Sequence, residues 1–280
     1  MDERFVSDVC SREFCVLIVI VVKYGGHALP RAGTPDAILK EVANFHNSGK
    51  KIVLVHGGGP QVDAELLVHG IPTQMISGYR ATTPEVFEVV QKVLSGQVLR
   101  TLVNQLIGYG ANAVGLSAGD GEMIRAERMA PTFNGQSVDI GLVGDVGSTN
   151  PRLLRTLLDA DFLPVISPVA VSANGEGLNL NGDLAAGAIG GALQADEVIF
   201  MTDVPGIYRN YPDPDSLISE ISAAELEDIA STFASGMIPK CKAALSALSA
   251  GAKQVRVIDG RDSANLVLAF AGLGGTVVKK

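Results

Sequence analysis

Glycine-rich turns that directly follow apolar stretches are the parts of this sequence best suited to chemistry. The apolar residues 52–55 lead into His56, and three glycines and a proline follow at residues 57–60. Such a run is typical of a buried parallel strand, and consecutive glycines let a ligand approach the backbone closely. Their N–H groups and the positive end of a following helix together favour an anion. Taken alone, the stretch is more often a flexible turn.

A lysine accompanies a second glycine pair at the end of another apolar run. The run at residues 14–22 is followed by Lys23 and by two glycines, Gly25 and Gly26. Helical periodicity over residues 35–48 separates the two apolar runs, which predicts a strand, a helix and a parallel strand. The right-handed crossover of such a unit brings both strand ends to one edge of the sheet, where ligands bind. We therefore expect the two glycine loops to share a ligand.

Two cationic side chains further along the chain are candidates for the same anion site, and each has an ordinary alternative. Lys240 opens a predicted helix over residues 241–250, where a cation is unfavourable unless it shares an anion. Arg80, in a polar turn, suits bidentate recognition of a carboxylate, although most such arginines are ordinary surface residues. Asp183 precedes a helix of small residues, and because aspartate is a favoured cap, this position is well explained as the N-cap of that helix.

Composition limits the classes of partner. The 280 residues carry a net charge of −8 and no basic stripe, so we expect no nucleic-acid partner. The apolar run at residues 14–22 is too short to cross a membrane, and residues 1–4 lack the cationic start of a signal peptide. Neither the three cysteines (Cys10, Cys15, Cys241) nor the four histidines have metal-ligand spacing. We expect an α/β enzyme in the cytoplasm, without membrane contact or metal ligands of its own.

The sequence also predicts several of the elements that would position the site. Residues 84–108 predict one long helix with apolar positions on more than one side, at the centre of a domain or in a subunit interface. A helix over residues 150–159 has Pro151 at its first position. Residues 162–171 predict a strand whose two prolines favour an edge or a strand end. The glycine-containing residues 172–177 are the best candidate for a linker.

Six motifs occur in one order along the chain, whereas P-loop, protein-kinase and dinucleotide fingerprints are absent from the sequence. The motifs are Lys-Tyr-Gly-Gly at 23–26, His-Gly-Gly-Gly-Pro-Gln at 56–61, Gly-Tyr-Arg at 78–80, Asn-Leu-Asn-Gly-Asp at 179–183, Thr-Asp-Val-Pro-Gly at 202–206 and Met-Ile-Pro-Lys at 237–240. Together they resemble the amino-acid kinase family, and most of all its branch that phosphorylates N-acetyl-L-glutamate. The likeness covers nearly the whole chain from about Val16 onward.

The resemblance implies a three-layer αβα sandwich around a mainly parallel sheet. It implies phosphoryl transfer from ATP, with Mg²⁺, to the γ-carboxylate of N-acetyl-L-glutamate, a step of arginine biosynthesis. Residues 1–173 would bind the amino acid, and residues 174–280 would bind the nucleotide. Residues 1–14 and 263–278 are shorter than in the arginine-inhibited, hexameric members, so we expect a homodimer through the N-terminal part instead of a hexamer. Because a carboxylate with a reference pKa of about 4 is already ionised, this reaction needs no general base. Positioning and charge neutralisation would supply the catalysis.

By motif position, the resemblance also implies roles for individual residues. Lys23 and Lys240 would be catalytic cations on the substrate and ADP sides of the transferred phosphoryl group, with Asp183 orienting both. Gly25 and Gly26, with Gly58 and Gly59, would donate N–H groups to that phosphoryl group. Gly58, Gly59, Arg80 and Asn179 form the implied substrate site. The implied nucleotide-binding residues are Thr202, Asp203, Gly206, Ile207, Tyr208 and Met237.

Two alternatives share these motifs. A kinase for another acylated acidic amino acid, such as an aminoadipate derivative, would differ in the pocket around Arg80. A sensor of nucleotides or amino acids without catalysis is the second alternative, and the presence of Lys23, Lys240 and Asp183 argues against it.

Overall fold

The chain combines strands and helices, as an α/β fold requires. A computed structural model describes residues 18–25, 29, 34–133, 135–230, 233 and 237–280, and Cys10, Cys15, Gly26 and Gly236 lie outside these ranges. The strands are β1 (Val19–Tyr24), β2 (Lys51–His56), β3 (Met75–Ile76), β4 (Tyr79–Arg80), β5 (Ala113–Ser117), β6 (Ile124–Arg128), β7 (Thr132–Phe133), β8 (Gln136–Ser137), β9 (Val143–Thr149), β10 (Leu163–Ser167), β11 (Val169–Ser172), β12 (Gly177–Leu180), β13 (Glu197–Thr202), β14 (Glu220–Ser222), β15 (Gln254–Asp259) and β16 (Thr276–Lys279). The helices are α1 (Ala37–Asn47), α2 (Gly59–Val68), α3 (Pro84–Gln91), α4 (Leu99–Gly108), α5 (Arg152–Asp159), α6 (Gly182–Leu193), α7 (Ala223–Ile229), α8 (Ile238–Ala250) and α9 (Ser263–Phe270).

The central sheet has eight strands in the order β14-β16-β15-β13-β1-β2-β10-β5. Neighbouring strands are parallel except for the pair β15 and β16, so the predicted mainly parallel sheet is confirmed. β1 lies between β13 and β2, which places an early strand beside a late one in the middle of the sheet. The carboxyl ends of β1, β2, β10, β5, β13 and β15 consequently lie along one edge.

Helices cover both faces of this sheet, which confirms the predicted three-layer sandwich. Successive strand residues point to opposite faces. Val21 and Val53 pack in a core with residues of α5, α6, α7 and α8. Val22 and Leu54 pack in a second core with residues of α1, α2, α3, α4 and α9. Because the strands are buried on both sides, they are almost continuously apolar in sequence.

The strand predicted over residues 162–171 is wrong in its extent, although its two prolines do lie near strand ends. It is two strands, because β10 ends before Pro168 and β11 joins a closed barrel in the order β11-β12-β9-β6. β10 is an interior strand that pairs with both β2 and β5, so of the two places predicted for the prolines the strand end is the correct one: Pro164 is the second residue of β10 and Pro168 follows its last residue. Leu163 donates its N–H to Asn112 on the β5 side, so the nitrogen of Pro164 faces β2. Pairing with β2 begins only at Val165, so the proline removes no ladder hydrogen bond there.

The predicted linker at residues 172–177 is instead the turn of a β-hairpin. β11 and β12 pair antiparallel on either side of it, and Ser172 N–H donates to the Glu176 carbonyl at 2.8 Å. Gly175 has a φ of +79°, which side chains rarely adopt, so glycine suits this turn. The predicted division between residues 173 and 174 falls inside this hairpin. At α5, Pro151 is the N-cap residue rather than the first helical residue.

The long helix predicted over residues 84–108 is present with one irregularity. α3 and α4 are joined by seven residues of π-helix, Lys92–Val98, which makes one wider turn in the middle of the element. Thr83 caps its start by accepting a hydrogen bond from Val86 N–H. The helix packs with the second core under β1 and β2, in agreement with the predicted central position. Such π-turns occur frequently at functional sites, and this one carries Leu94 and Ser95.

Candidate active site

Two lysines and one aspartate meet at the carboxyl edge of the central sheet. Lys23 Nζ lies 2.8 Å from Asp183 Oδ1, and Lys240 Nζ lies 3.3 Å from Asp183 Oδ2. Lys23 precedes the last residue of β1, whereas Asp183 and Lys240 lie in the first turns of α6 and α8. The structure thus brings together the three residues that the motifs single out, and it gives each ammonium group its own carboxylate oxygen.

The carboxylate of Asp183 is available to the lysines because another residue caps its helix. Asn181 is the N-cap of α6, and its Oδ1 accepts from the N–H groups of Asp183 and Leu184. Burial of Asp183 raises the pKa of its carboxyl, but the two ammonium groups outweigh that effect and hold the pKa below its usual value. Asp183 is therefore an anion at neutral pH, and the alternative that it is the helix N-cap is wrong.

Small residues on α6 let α8 approach closely enough to deliver Lys240. A Cβ added to Gly187 would lie 2.7 Å from the carbonyl oxygen of Ala243, and one added to Gly191 would lie 2.3 Å from Ala250 Cβ. Neither distance is tolerated by a real side chain, so the packing of these helices depends on glycine. The low side-chain volume of α6, visible in the sequence, thus has a direct consequence for the geometry of the site.

The two glycine loops lie against each other, as the predicted strand-helix-strand unit requires. Gly57 N–H donates to the Tyr24 carbonyl at 2.8 Å. A Cβ on Gly25 would lie 3.1 Å from both Gly57 N and Lys23 Nζ, which is closer than most side chains allow. Gly25 therefore permits Lys23 to lie directly beside the triple-glycine loop, while Gly26 lies outside the described residues.

A cavity of about 190 Å³ opens beside this cluster. The triple-glycine loop, the β3–β4 hairpin and the start of α6 line it, together with apolar residues of α2 and the long helix. The lining residues are Gly57, Gly58, Gly59, Val62, Met75, Gly78, Tyr79, Arg80, Val90, Leu94, Val143, Pro168, Asn179, Leu180, Asn181 and Gly182. All four residues of the implied substrate site, Gly58, Gly59, Arg80 and Asn179, are among them.

Arg80 is held in place at this cavity rather than solvated. Its side chain is only 11% exposed and forms an ion pair with Asp63 at 2.6 Å. Thr73 accepts a second hydrogen bond from the same guanidinium at 3.0 Å. Across the cavity, the Asn179 side-chain amide donates to Thr82 Oγ1 at 3.2 Å. A fixed guanidinium and a fixed amide are the groups that would recognise a carboxylate and an acetamido group.

The implied nucleotide-binding residues do not line this cavity. Thr202 ends β13, and its hydroxyl donates to the side chain of Asp203 at 3.1 Å. Ile207 N–H donates to Thr276 Oγ1, against which Gly206 also packs. The Tyr208 ring makes an edge contact with another tyrosine ring at 5.6 Å, and Met237 is the N-cap residue of α8. These residues lie around the carboxyl end of β13 and the start of the helix that carries Lys240.

The structure also reveals polar groups at the site that sequence reasoning missed. Ser95, Ser117 and Ser167 form a ring of hydroxyl hydrogen bonds of 2.8 to 3.3 Å between the π-turn and the ends of β5 and β10. Their positions in the sequence gave no signal, since the strand register and the wide helical turn bring them together. His56, which directly precedes the triple-glycine loop, is fully buried.

Neither a metal cluster nor a membrane-crossing element is found in the described part of the chain. No group of three histidine, cysteine or acidic residues there is arranged to hold a metal ion. None of the helices described is both long and apolar enough to cross a membrane.

Comparisons with known proteins agree with these motifs. The profile of the Amino acid kinase family matches residues 19–259. The acetylglutamate kinase of Paenarthrobacter aurescens (strain TC1) is 41% identical, over 92% of this chain and 86% of that protein. The acetylglutamate kinase of Mycobacterium sp. (strain JLS) is 42% identical, over 87% of this chain and 84% of that protein.

Solved structures share the fold. The N-acetylglutamate synthase of Neisseria gonorrhoeae, complexed with coenzyme A and N-acetyl-glutamate, has a TM-score of 0.80 at 25% identity, over 94% of this chain and 59% of that one. The carbamate kinase of Giardia lamblia bound to AMP-PNP has a TM-score of 0.66 at 21% identity, over 94% of this chain and 98% of that one, which shows the fold alone. On the matched profile and the identity to its curated relatives, this chain belongs to the amino acid kinase family.

Proposed function

We propose that this protein is a kinase that transfers the γ-phosphoryl group of ATP to the γ-carboxylate of N-acetyl-L-glutamate, giving N-acetylglutamyl phosphate in arginine biosynthesis. The observation that carries the proposal is the convergence of Lys23 and Lys240 on Asp183 beside a glycine-lined cavity. Two relatives at 41% and 42% identity are acetylglutamate kinases, which agrees with the same reaction.

The arrangement suits an in-line transfer between two anions. The acceptor carboxylate is ionised at neutral pH, so no side chain has to remove a proton. Catalysis then depends on placing the reactants and on neutralising the charge of the phosphoryl group in transfer. Lys23, beside the triple-glycine loop, would act on the acceptor side, and Lys240 on the side of the departing ADP. Asp183 keeps both ammonium groups in position while leaving the site with a net positive charge.

Magnesium fits this site as an ion carried by the nucleotide. Both oxygens of Asp183 already contact lysines, and the described residues offer no cluster of three metal ligands. Mg²⁺ usually retains waters and binds through substrate phosphates rather than in an all-protein cage. When bound with ATP, Mg²⁺ would neutralise part of the negative charge of the phosphates, in addition to the two lysines.

We assign the two substrates to different parts of the chain. Residues 1–173 carry Lys23, the triple-glycine loop and Arg80, and we assign the amino acid to this part. Residues 174–280 carry Thr202, Asp203, Gly206, Ile207, Tyr208 and Met237, and we assign ATP to this part. Asn179, followed by Leu180, Asn181 and Gly182, lines the amino-acid cavity from the second part of the chain.

We further propose a cytoplasmic homodimer formed through the N-terminal part. Leu67 and Val68, at the end of α2, are 81% and 78% exposed, and Ile107, at the end of α4, is 54% exposed. These exposed apolar side chains belong to two helices of the N-terminal part, and we assign them to the subunit interface. Sedimentation equilibrium should give twice the chain mass, and a monomer or a hexamer would contradict the proposal.

A screen of acceptors tests the reaction itself. ADP release from ATP and Mg²⁺ is measured with N-acetyl-L-glutamate, glutamate, aspartate, N-acetylaminoadipate and carbamate at equal concentrations. Hydroxylamine in the assay converts an acyl phosphate to a hydroxamate, which identifies a phosphorylated carboxyl group. We expect both signals with N-acetyl-L-glutamate above the other acceptors. Preference for N-acetylaminoadipate would favour a kinase for another acylated acidic amino acid. No ADP release with any acceptor would favour a sensor without catalysis.

A further inference from the structure

His56 is a buried polar residue at the active site to which the proposed reaction gives no role. It ends β2, is fully buried, and shares a strand face with Ile52 and Leu54, which belong to the core under the long helix. It therefore lies on the face of the sheet opposite to Lys23. Burying a polar ring in such a core costs free energy unless the ring is hydrogen-bonded.

The hydrogen bonds of the ring define its state. His56 Nδ1 lies 2.7 Å from the carbonyl oxygen of Gly57, and since a carbonyl only accepts, Nδ1 carries the proton. His56 Nε2 is buried and has no hydrogen-bond partner among the described residues. Burial, together with the charge of Lys23, lowers the pKa of His56 to about 4. At neutral pH the ring is a neutral donor to a single backbone oxygen.

That one oxygen determines the direction of a neighbouring N–H group. The peptide between Gly57 and Gly58 is planar and trans, so the Gly58 N–H points away from the Gly57 carbonyl. The carbonyl points to His56, and both glycines line the cavity. Holding the carbonyl therefore keeps the N–H directed away from the histidine.

The glycine loop cannot hold this orientation through its own backbone preferences. A peptide flip changes ψ of Gly57 and φ of Gly58, and glycine adopts both signs of these angles readily. On either side the loop is anchored, because Gly57 N–H donates to the Tyr24 carbonyl and the Gly58 carbonyl accepts from Val62 N–H. Neither of these two hydrogen bonds involves the carbonyl of Gly57, which accepts its hydrogen bond from the His56 ring.

We propose that His56 is a positioning residue that holds the Gly57–Gly58 peptide so that the Gly58 N–H stays directed at the phosphoryl group in transfer. The inference rests on the proposed phosphoryl transfer and adds a residue to it. The histidine touches no substrate and acts only through the peptide. Because charge on the phosphoryl oxygens is stabilised most in the transition state, the loss of this orientation lowers kcat rather than substrate affinity.

Three substitutions separate this role from packing. His56→Asn places an amide N–H at the position of Nδ1, His56→Gln places it near the position of Nε2, and His56→Leu removes it. We expect His56→Leu and His56→Gln to lower kcat about tenfold or more, with KM for ATP and N-acetyl-L-glutamate within about twofold of wild type. His56→Asn should recover most of kcat, although it fills the core less well than leucine or glutamine.

Several outcomes would overturn the role. Equal losses in the asparagine and leucine variants would mean that the ring only fills space, and a raised KM at unchanged kcat would place its effect on binding. His69→Asn, a substitution of an exposed histidine, is the matched control and should behave as wild type. The wild-type protein in the same assay tests the proposed function separately, since no turnover there contradicts the reaction and not the role of His56.

A measurement without mutation keeps the inference testable if the variants fail to fold. Nitrogen-15 spectra of the histidine rings in the intact protein report which nitrogen carries the proton. At pH 7 we expect His56 to be protonated at Nδ1 and unprotonated at Nε2. The opposite tautomer would leave the Gly57 carbonyl without its donor and would overturn the proposal.

Discussion

At the scale of single residues, the two ammonium groups of the site have different positions but the same partner. Lys23→Ala and Lys240→Ala should each lower kcat about a hundredfold, or about 3 kcal/mol of transition-state stabilisation, because one cation is lost from a charge-stabilised transfer. A moderate fall in the melting temperature should accompany either change, since buried Asp183 loses one of its two cations. Steady-state ADP release and thermal unfolding measure the two effects.

The matched control for these variants lies on the helix that carries Lys240. Lys242 is exposed on α8, two residues after Lys240, and carries the same charge. Lys242→Ala should keep wild-type kcat, which separates a local effect from a change in net charge. Turnover near the wild-type rate in Lys23→Ala or Lys240→Ala would show that the aspartate-linked pair is not the catalytic pair.

Arg80 should affect the amino acid and not the nucleotide. Arg80→Lys should raise KM for N-acetyl-L-glutamate about tenfold with kcat within about threefold of wild type, because an ammonium group cannot reproduce a planar fork of donors. KM for ATP should not change. Arg128→Lys is a suitable control, because Arg128 contacts Glu176 through two nitrogens on the exposed barrel, outside the cavity. A larger effect on KM for ATP would contradict the assignment of the cavity.

At the scale of elements, neighbouring glycines of one loop have different structural roles. Gly58 has a φ of +154°, and a Cβ there would lie 2.6 Å from Leu94 Cδ2 of the π-turn. A Cβ on Gly59 would meet nothing within 4 Å. Gly58→Ala should therefore cost about 2 kcal/mol of unfolding free energy, from overpacking and backbone strain. Gly59→Ala should leave the stability near that of wild type.

Chemical denaturation of the two alanine variants tests this difference. The midpoint should fall for Gly58→Ala alone, at an unchanged denaturant slope. Shortening Leu94 to alanine in the Gly58→Ala background should restore part of the loss by removing the clash. Equal midpoints for the two single variants would show that the loop relaxes around a side chain, and that the π-turn does not fix its conformation.

Periodicity was sufficient to predict the first strand-helix-strand unit of this fold, because burial on one face or two imposes a repeat on the sequence, whereas the three layers were implied by the family resemblance. The first strand, α1 and β2 are therefore where the apolar pattern puts them. The break at Pro168 and the hairpin at residues 172–177 were not predictable in the same way. Both depend on a barrel whose partners β6 and β9 lie elsewhere in the sequence, and local composition resembles a strand and a linker.

The residue that caps α6 could not be predicted from the sequence either, for a different physical reason. Asn181 and Asp183 are both favoured as helix caps, so local preference cannot decide which residue caps α6. The decision comes from tertiary charge, because Asp183 alone reaches Lys23 and Lys240. The implied roles of the nucleotide-binding residues around Thr202 stay predictions, since nothing in the geometry described here tests them.

At the scale of the whole molecule, the site exists only when the sandwich is complete. Lys23 is carried by a strand in the middle of the sheet, and Asp183 and Lys240 come from two helices packed on one face of it. His56 ends the neighbouring strand and faces the opposite core. Because the ring is fully buried, its protonation is linked to unfolding, so the pH dependence of stability should report on it.

Stability should fall as the pH is lowered from about 6.5 to about 4. The unfolded chain binds a proton at His56 with the ordinary histidine pKa of about 6.5, whereas the folded chain does so only near a pKa of about 4. Between these values the unfolded state holds more protons, so unfolding becomes easier as the pH falls. The full difference amounts to about 3 kcal/mol, present above pH 6.5 and lost at pH 4.

Urea unfolding at pH 7.5 and pH 4.5 measures this loss, and His56→Asn isolates it from other titrating groups. The variant cannot bind the proton, so its stability should change less between the two pH values than that of wild type, by about 2 to 3 kcal/mol. His69→Asn, at an exposed position, should retain the wild-type pH dependence. If wild type and His56→Asn lose equal stability, the ring is protonated equally easily in both states. It would then not be the neutral buried donor that the proposed role at Gly57 requires.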